Sequence, residues 1–429
     1  MSRVLVLGAN GFIGRHIVAA LAAAGHDVIR GARRVPHSAV ARWIAVDYMR
    51  DHAVEDWLPR VRDVDVVVNA VGILRETGAA TFAALHVDAP RALFDACVAT
   101  GVRKVIQLSA LGTDAHAQSR YHESKKAADD YLATLPLESA IVQPSLVYGE
   151  GGASAKLFAT WAALPVVPVP GKGAQQVQPV HVDDLAASIV RLVERCDGTD
   201  GIVPAVGPRA LNLRQWLCTL RSAMGLAPPV FLSVPMKLVE LAAMLAGHLP
   251  HALLDRETLG MLQRGNTASA QHITAILGRA PRDANDFVEA RMAHAVRTSA
   301  QLRWLLPLLR ASVAVLWIWT AIVALGLYPV AQSYELLART GITGAAAFVA
   351  LYGAALLDLA FGIGVYVVRR RRWLWRAQIA VIVVYTIIIT VKLPEYWLHP
   401  YGPLTKNLPV LAALLLLHEL DDPGREVES

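Results

Sequence analysis

Apolar and polar positions change their period several times along the chain, and each change marks an element. Met1 to Leu7 is a short apolar run that ends at Gly8 and Asn10. It is far shorter than the core of an export signal and no small-residue cleavage site follows, so it predicts a first strand. Phe12 to Ala24 carries helix formers with Gly25 as a stop, and Asp27 to Arg30 reads as a second strand. Further strands are predicted at Trp43 to Val46, Val64 to Asn69, Val102 to Leu108 and Ser139 to Val142, with helical stretches between most of them. Strands alternating with helices call for a parallel sheet covered on both faces, so this part is predicted as doubly wound α/β.

The last quarter has another pattern. Ala311 to Val330 is twenty residues without a charge, enough at 1.5 Å per residue to cross a hydrocarbon core of about 30 Å. Thr343 to Val368 repeats it with one acid, Asp358, and Trp373 to Val391 gives a third span broken only by Arg376. Pro403 to Leu420 is a shorter fourth candidate. The expected architecture is therefore an α/β domain followed by an all-α transmembrane bundle, with boundaries at 1–230, 231–303 (a helical connecting or substrate-side segment), 304–420 and an acidic tail at 421–429. Val234 to Leu249, an apolar helix candidate inside the connecting segment, either caps the cleft or lies on the membrane.

Composition agrees. The 429 residues are 55% hydrophobic and 18% charged, which excludes a disordered chain. Of the formal charge of +6, most belongs to residues 305–420, with nine Lys/Arg against four Asp/Glu, so the basic balance is no footprint of nucleic acid. Arg369 to Arg372 and Arg376 lie between spans two and three. By the excess of Lys/Arg on the cytoplasmic side, they place the N-terminal domain in the cytoplasm and the chain, multi-pass, in the inner (cytoplasmic) membrane. Cys97, Cys196 and Cys218 are too far apart for a metal set and suit a reducing compartment; no metal site is expected.

The chemistry starts at the first turn, Gly8-Ala9-Asn10-Gly11-Phe12-Ile13-Gly14. Residues without Cβ let backbone amides approach a pyrophosphate at the positive end of the next helix, which predicts dinucleotide binding. Strand two ends without the acid that would hold a ribose 2′-hydroxyl. It offers Arg30, Arg33 and Arg34, either partners for a 2′-phosphate or a solvated basic loop, which favours NADP(H) with NAD(H) as the alternative. Asp47 after strand three either meets the adenine or is an exposed turn residue. Ser109 follows strand five, and Tyr121 and Lys125 stand four apart on a predicted helix, hence on one face. A cation beside the phenol is expected to favour the phenolate, and the three groups suit carbonyl/alcohol interconversion beside a nicotinamide.

These residues, with Asn69-Ala70-Val71-Gly72, Pro144-Ser145-Leu146-Val147-Tyr148-Gly149 and Val180-His181-Val182-Asp183-Asp184-Leu185-Ala186, resemble the extended or atypical branch of the short-chain dehydrogenase/reductase superfamily, a Rossmann-type fold. The resemblance implies Tyr121 as acid/base, Lys125 as its modulator and nicotinamide-ribose ligand, Ser109 as donor to the substrate oxygen, and Asn69 to Gly72 and Pro144 against the cofactor. Gln143, where many members carry Arg, and Asp88, near a common Asn, depart from the pattern. Leu254 to Asn266 resembles relatives of the NADPH-binding accessory subunit of respiratory complex I, a structural protein. Tyr396 to Leu404 with the apolar array is similar to the DoxX-like family of small four-helix membrane proteins. In the bundle, Asp358 serves either a structural partner such as Tyr352 or a proton or ligand site, and His399 and His418 read as interfacial packing.

The leading expectation is a membrane-anchored NAD(P)H-dependent oxidoreductase acting on a carbonyl or alcohol of a small lipophilic substrate. One rival is a non-catalytic NADPH-binding factor that recruits a membrane protein partner. The other is a nucleotide-sugar epimerase or dehydratase.

Overall fold

The computed structural model describes residues 1–35, 41–195, 200–246, 256–400 and 402–421. Cys196, Leu254, Asp255, Tyr401 and the tail beyond Asp421 lie outside them. The chain forms two compact units, Met1–Ala300 and Gln301–Ser429.

In the first unit, β1 (Arg3–Leu7), α1 (Phe12–Ala23), β2 (Asp27–Ala32), β3 (Trp43–Ala45), α2 (Val54–Val61), β4 (Val66–Asn69), α3 (Ala89–Thr100), β5 (Lys104–Leu108), α4 (Arg120–Ala133) and β6 (Glu138–Pro144) follow in order. After them come β7 (Val147–Tyr148), α5 (Ala153–Ala162), β8 (Val166–Pro170), β9 (Gln176–Val177), β10 (Val180–His181), α6 (Val182–Glu194) and β11 (Gly201–Ala205). Seven strands make one parallel sheet in the order β11-β6-β5-β4-β1-β2-β3. The winding direction reverses between β1 and β4, and a crevice forms outside the carboxyl ends of strands at such a point.

Central strands are apolar without alternation because helices cover both faces. Val4 and Val6 face one layer with α1 and α6, and Leu5 and Leu7 face the other with α2 and α3. Beyond β11, β12 (Leu211–Asn212), α7 (Leu213–Ala223), β13 (Val230–Val234), α8 (Met236–Ala246), α9 (Arg256–Arg264) and α10 (Gln271–Leu277) complete the unit. Three strand pairs, β7 with β10, β8 with β13 and β9 with β12, build the smaller lobe around Trp216 and Phe158. The stretch expected as a connecting or substrate-side segment packs within this unit: Ile273 and Ile276 join the sheet core, and Ala284 and Phe287 join the lobe. Asp184, fully buried, anchors it by accepting from Arg279 Nη2 (2.5 Å) and the Arg282 amide (2.7 Å).

The second unit opens within α11 (Ala293–Ile322) and continues through α12 (Val330–Arg339), α13 (Gly344–Val367), α14 (Arg372–Lys392) and α15 (Asn407–Leu420). Among the described residues, three helices are long and apolar enough to cross a membrane. The shorter fourth candidate is α15, whose 14 residues reach about 21 Å against a core of about 30 Å. The polar segment after span one forms the helix α12. Asp421 at the end of α15 is buried and pairs with Arg310 of α11 and with Arg371 before α14 (3.5 Å), so these three points share one end of the bundle. Arg339 of α12 pairs with Glu395, just beyond α14. Asp358 on α13 is buried with one oxygen unpartnered; Tyr352 instead packs on Phe348, with ring centroids 4.7 Å apart. His399 stacks on Tyr396, and His418 accepts from Arg376 Nε at 2.9 Å.

Candidate active site

The glycine turn fits a dinucleotide phosphate by what it excludes. Gly8 leaves β1 at φ +76°, where a Cβ would lie 2.9 Å from the Ala70 carbonyl oxygen, and a Cβ on Gly14 would lie 2.1 Å from the Gly8 carbonyl oxygen. Any larger residue pushes α1 off the turn. Gly11 is the N-cap of α1, no side chain caps it, and the first turn, which contains Phe12 and Ile13, carries no acid. The amides at this helix end are open to an anion. Asn10 is exposed and donates to the Arg34 carbonyl at 3.2 Å, tying the turn to the end of β2.

Around this turn the other expected cofactor residues divide into groups. Arg33 and Arg34 are exposed at the end of β2, while the Arg30 guanidinium lies over the Trp43 ring at 5.6 Å. Asp47 accepts from the Met49 amide at 3.1 Å, a turn-forming contact. Asn69 is fully buried, accepting from Tyr48 Oη (2.8 Å) and the Val71 amide (3.3 Å) and donating to Gln107 (2.7 Å), so it braces the crevice. The Pro144 carbonyl accepts from the Leu111 amide at 3.0 Å, holding the loop after β5.

Lys125 is the centre of the site. Its Nζ donates to the carbonyls of Leu108 (2.9 Å) and Val71 (3.2 Å), bridging the ends of β5 and β4. Gly72 leaves it room, since a Cβ there would stand 3.0 Å from Nζ. Burial lowers the ammonium to about 8, against the opposing charge of Asp129. Tyr121, one turn earlier, lies edge-on to His86 with ring centroids 5.6 Å apart. Its phenol is pushed up to about 12 by burial and then by Asp129, opposite in direction to the lowering expected from Lys125. Spacing places a cation nearby; it does not reveal the desolvation that outweighs it.

Ser109 is buried and donates to Asp129 Oδ2, with Thr113 Oγ1 at 3.2 Å. The structure thus brings Ser109 to Asp129 as well as setting Tyr121 and Lys125 on one helix face. Asp129 escaped the sequence reading although its signal was present, four residues beyond Lys125 on the same face of α4. His86 left no such signal. A π-helical turn at Ala83–Asp88 positions it so that Nε2 accepts from the Ile73 amide (3.0 Å) and Nδ1 faces Ser124 Oγ (2.9 Å). That arrangement assigns the proton to Nδ1, and burial followed by the Lys125 charge lowers the ring to about 2. Arg264 of α9 clamps the loop after β5 through the Gly112 carbonyl (2.9 Å) and Asp114 (2.6 Å).

Known proteins match both units. Residues 4–207 match the NAD dependent epimerase/dehydratase family, and residues 314–415 match the DoxX-like family. A protein of Caulobacter vibrioides named ceramide reductase is 31% identical over 190 residues, 44% of this chain and 59% of that one. The mitochondrial NADH dehydrogenase (ubiquinone) 1 alpha subcomplex subunit 9 of Mus musculus is 28% identical over 212 residues, 47% of this chain and 56% of that one. The chain spans little more than half the length of these relatives. The crystal structure of UDP-N-acetylglucosamine 4-epimerase from Bacillus cereus superposes with a TM-score of 0.52 at 15% identity, covering 70% of this chain and all of that one, which shows a common fold.

Proposed function

We propose that this chain, with its epimerase/dehydratase-family and DoxX-like segments, is a membrane-anchored NAD(P)H-dependent reductase for a carbonyl group on a lipid-soluble molecule. One observation carries the reading: Lys125 Nζ is lodged between the Val71 and Leu108 carbonyls at the mouth of the crevice, one helical turn from Tyr121. Gly8, Gly11 and Gly14 would hold the pyrophosphate on the open end of α1, and Ala70 to Gly72 would line the nicotinamide side. The bound nicotinamide supplies a hydride. Tyr121 gives the substrate oxygen its proton and is reprotonated from solvent; a phenol held protonated to about 12 is ready for that direction. Lys125 fixes the ribose side of the pocket.

Arg33 and Arg34 favour NADP(H) by matching a 2′-phosphate. The ceramide reductase name of one relative supports a lipid substrate. The basic stretch Arg369–Arg372, with Arg310 at the same end of the bundle, supports placing the first unit in the cytoplasm and the second in the cytoplasmic membrane. A second reading, a non-catalytic NADPH-binding factor in a membrane complex, is favoured by the complex I relative and by the engagement of Ser109 with Asp129.

Turnover separates the two. Lipid and quinone profiling of a deletion strain, complemented with wild type, Tyr121→Phe or Lys125→Met, should show one accumulating carbonyl compound that only wild type consumes, with a rate loss of about 10²–10⁴-fold in Tyr121→Phe. Equal complementation by all three, with NADPH binding intact, rejects the reductase.

A further inference from the structure

Behind the candidate site lies an acid that the reductase reading does not use. Asp129 is buried, its Oδ2 takes the Ser109 proton, and its Oδ1 has no hydrogen-bond partner. The residues beside it form a polar set. Gln143 Nε2 donates to Thr113 Oγ1 at 2.7 Å, and Thr113 Oγ1 lies 2.9 Å from the Ala110 carbonyl and 3.3 Å from Asp129 Oδ2. Lys125, Tyr121 and Asp130 supply the charged or titratable neighbours from α4 itself. Asp129, Thr113 and Gln143 also line a cavity of about 200 Å³, completed by apolar groups such as Leu135 and Leu137, with exposed Asp130 and Ile202 at its rim. That is room for several waters, which would reach the acid from the surface without passing the crevice.

A hydroxyl has a single proton to give. While Asp129 is ionised it accepts only, so Ser109 spends its proton on the carboxylate and has none for a substrate oxygen. Once Asp129 is protonated it can donate to Ser109, and the serine proton is released to point elsewhere. We propose that Asp129 is a positioning residue whose protonation, exchanged with water in the rear cavity, switches Ser109 between a locked state and a substrate-donating state. This rests on the reductase reading for its catalytic consequence, but the switch itself is a property of the protein without substrate.

Burial raises Asp129 to about 6, against the lowering effects of Ser109, Lys125 and Thr113, so the exchange falls within the physiological range. The decisive experiment is an infrared titration of the full chain in lipid nanodiscs between pH 5 and 8. In the difference between wild type and Asp129→Asn, a protonated-carboxyl band should be lost with a midpoint near 6, and Ser109→Ala should move that midpoint upward. A band unchanged in Asp129→Asn, or a midpoint indifferent to Ser109→Ala, overturns the switch. On any carbonyl compound identified by the profiling, wild-type kcat/KM should fall about tenfold per pH unit above the midpoint, and Asp129→Asn, whose amide can donate at every pH, should flatten the profile. The same slope in both overturns the catalytic role even if the band behaves. Absent turnover with the expected infrared titration instead sinks the reductase and leaves the switch standing.

Discussion

In the first unit the buried acid Asp129 is surrounded by a hydroxyl pair, a lysine and a cavity, whereas in the second Asp421 is held by Arg310 and Arg371 and Asp358 has no ion-pair partner among the described residues, each acid keeping one oxygen without a hydrogen bond. The three acids are comparably buried, at 4%, 2% and 5% exposure, so burial alone cannot separate their roles. Neighbours do. Two guanidinium groups on different segments make Asp421 a tie that holds the end of the short α15 to α11 and to the start of α14. Asp129 has groups that can return a proton. Asp358 has neither arrangement in a region where an unpaired polar atom is costly.

The sharpest way to break this comparison is to remove each membrane-unit acid. Asp421→Ala strands two arginines at one bundle end and should cost about 3 kcal/mol, because an uncompensated buried charge is worse than no pair at all. Asp358→Leu deletes an unsatisfied oxygen from an apolar helix and should leave the melting temperature level or raised. Thermal unfolding of the full chain in nanodiscs measures both. Equal destabilisation by the two would show that Asp358 is tied as firmly as Asp421, and the distinction drawn here would collapse.

A smaller effect sharpens the first unit's side. His86 is lowered to about 2, so below pH 6.5 the unfolded chain binds a proton that the folded chain refuses, and stability falls by about 1.4 kcal/mol per pH unit. Asp129 has the opposite sign: raised to about 6 from 3.8, it gives the folded state the extra proton, and stability rises as pH drops from 6 toward 4. The two contributions offset one another over that window. His86→Gln should therefore become more stable on mild acidification relative to wild type, and Asp129→Asn less so. Melting curves at pH 6 and 4.5 test the pair; the same pH dependence in all three proteins would refute the protonation states assigned to both groups.

The sequence carried much of this site, in proportion to how local each feature is. The glycine turn, the i, i+4 placement of Tyr121 and Lys125 and the first three apolar spans are set by short-range spacing, and each falls on a turn or helix, although span one ends short of Val330, where α12 begins. Strand ends moved by a residue or two, and β11 was not anticipated, since Gly201–Ala205 is short and follows no clear alternation. The two-residue strands β7, β9, β10 and β12 have no period to read. The polar residues of α12 break the apolar pattern between two spans, so no span marks this helix in the sequence. Tyr121 shows the deeper limit: its neighbour Lys125 was legible, whereas the rings of Phe82 and His86 that pack on it come from a π-helical turn and the residue before it, which have no sequence signature.

The smallest expected effect concerns the edge of the crevice. Arg33 and Arg34 are both exposed, and among the described residues Arg33 Nη1 meets the Met49 sulfur at 3.9 Å, with no ion pair to either guanidinium. An exposed cation meeting a phosphate is screened by water and salt, which limits its worth to about 1 kcal/mol, roughly a fivefold change in affinity. Arg33→Ala should accordingly weaken NADPH binding about fivefold while leaving NADH binding unchanged, with the effect shrinking at high salt. Arg30 lies over Trp43 and would have to leave that ring to reach a phosphate, so Arg30→Ala should change the affinity less than Arg33→Ala. Fluorescence titrations with both nucleotides measure the ratio. A preference untouched by Arg33→Ala would move the phosphate reader elsewhere on the β2 edge, and with it the reason for favouring NADP(H).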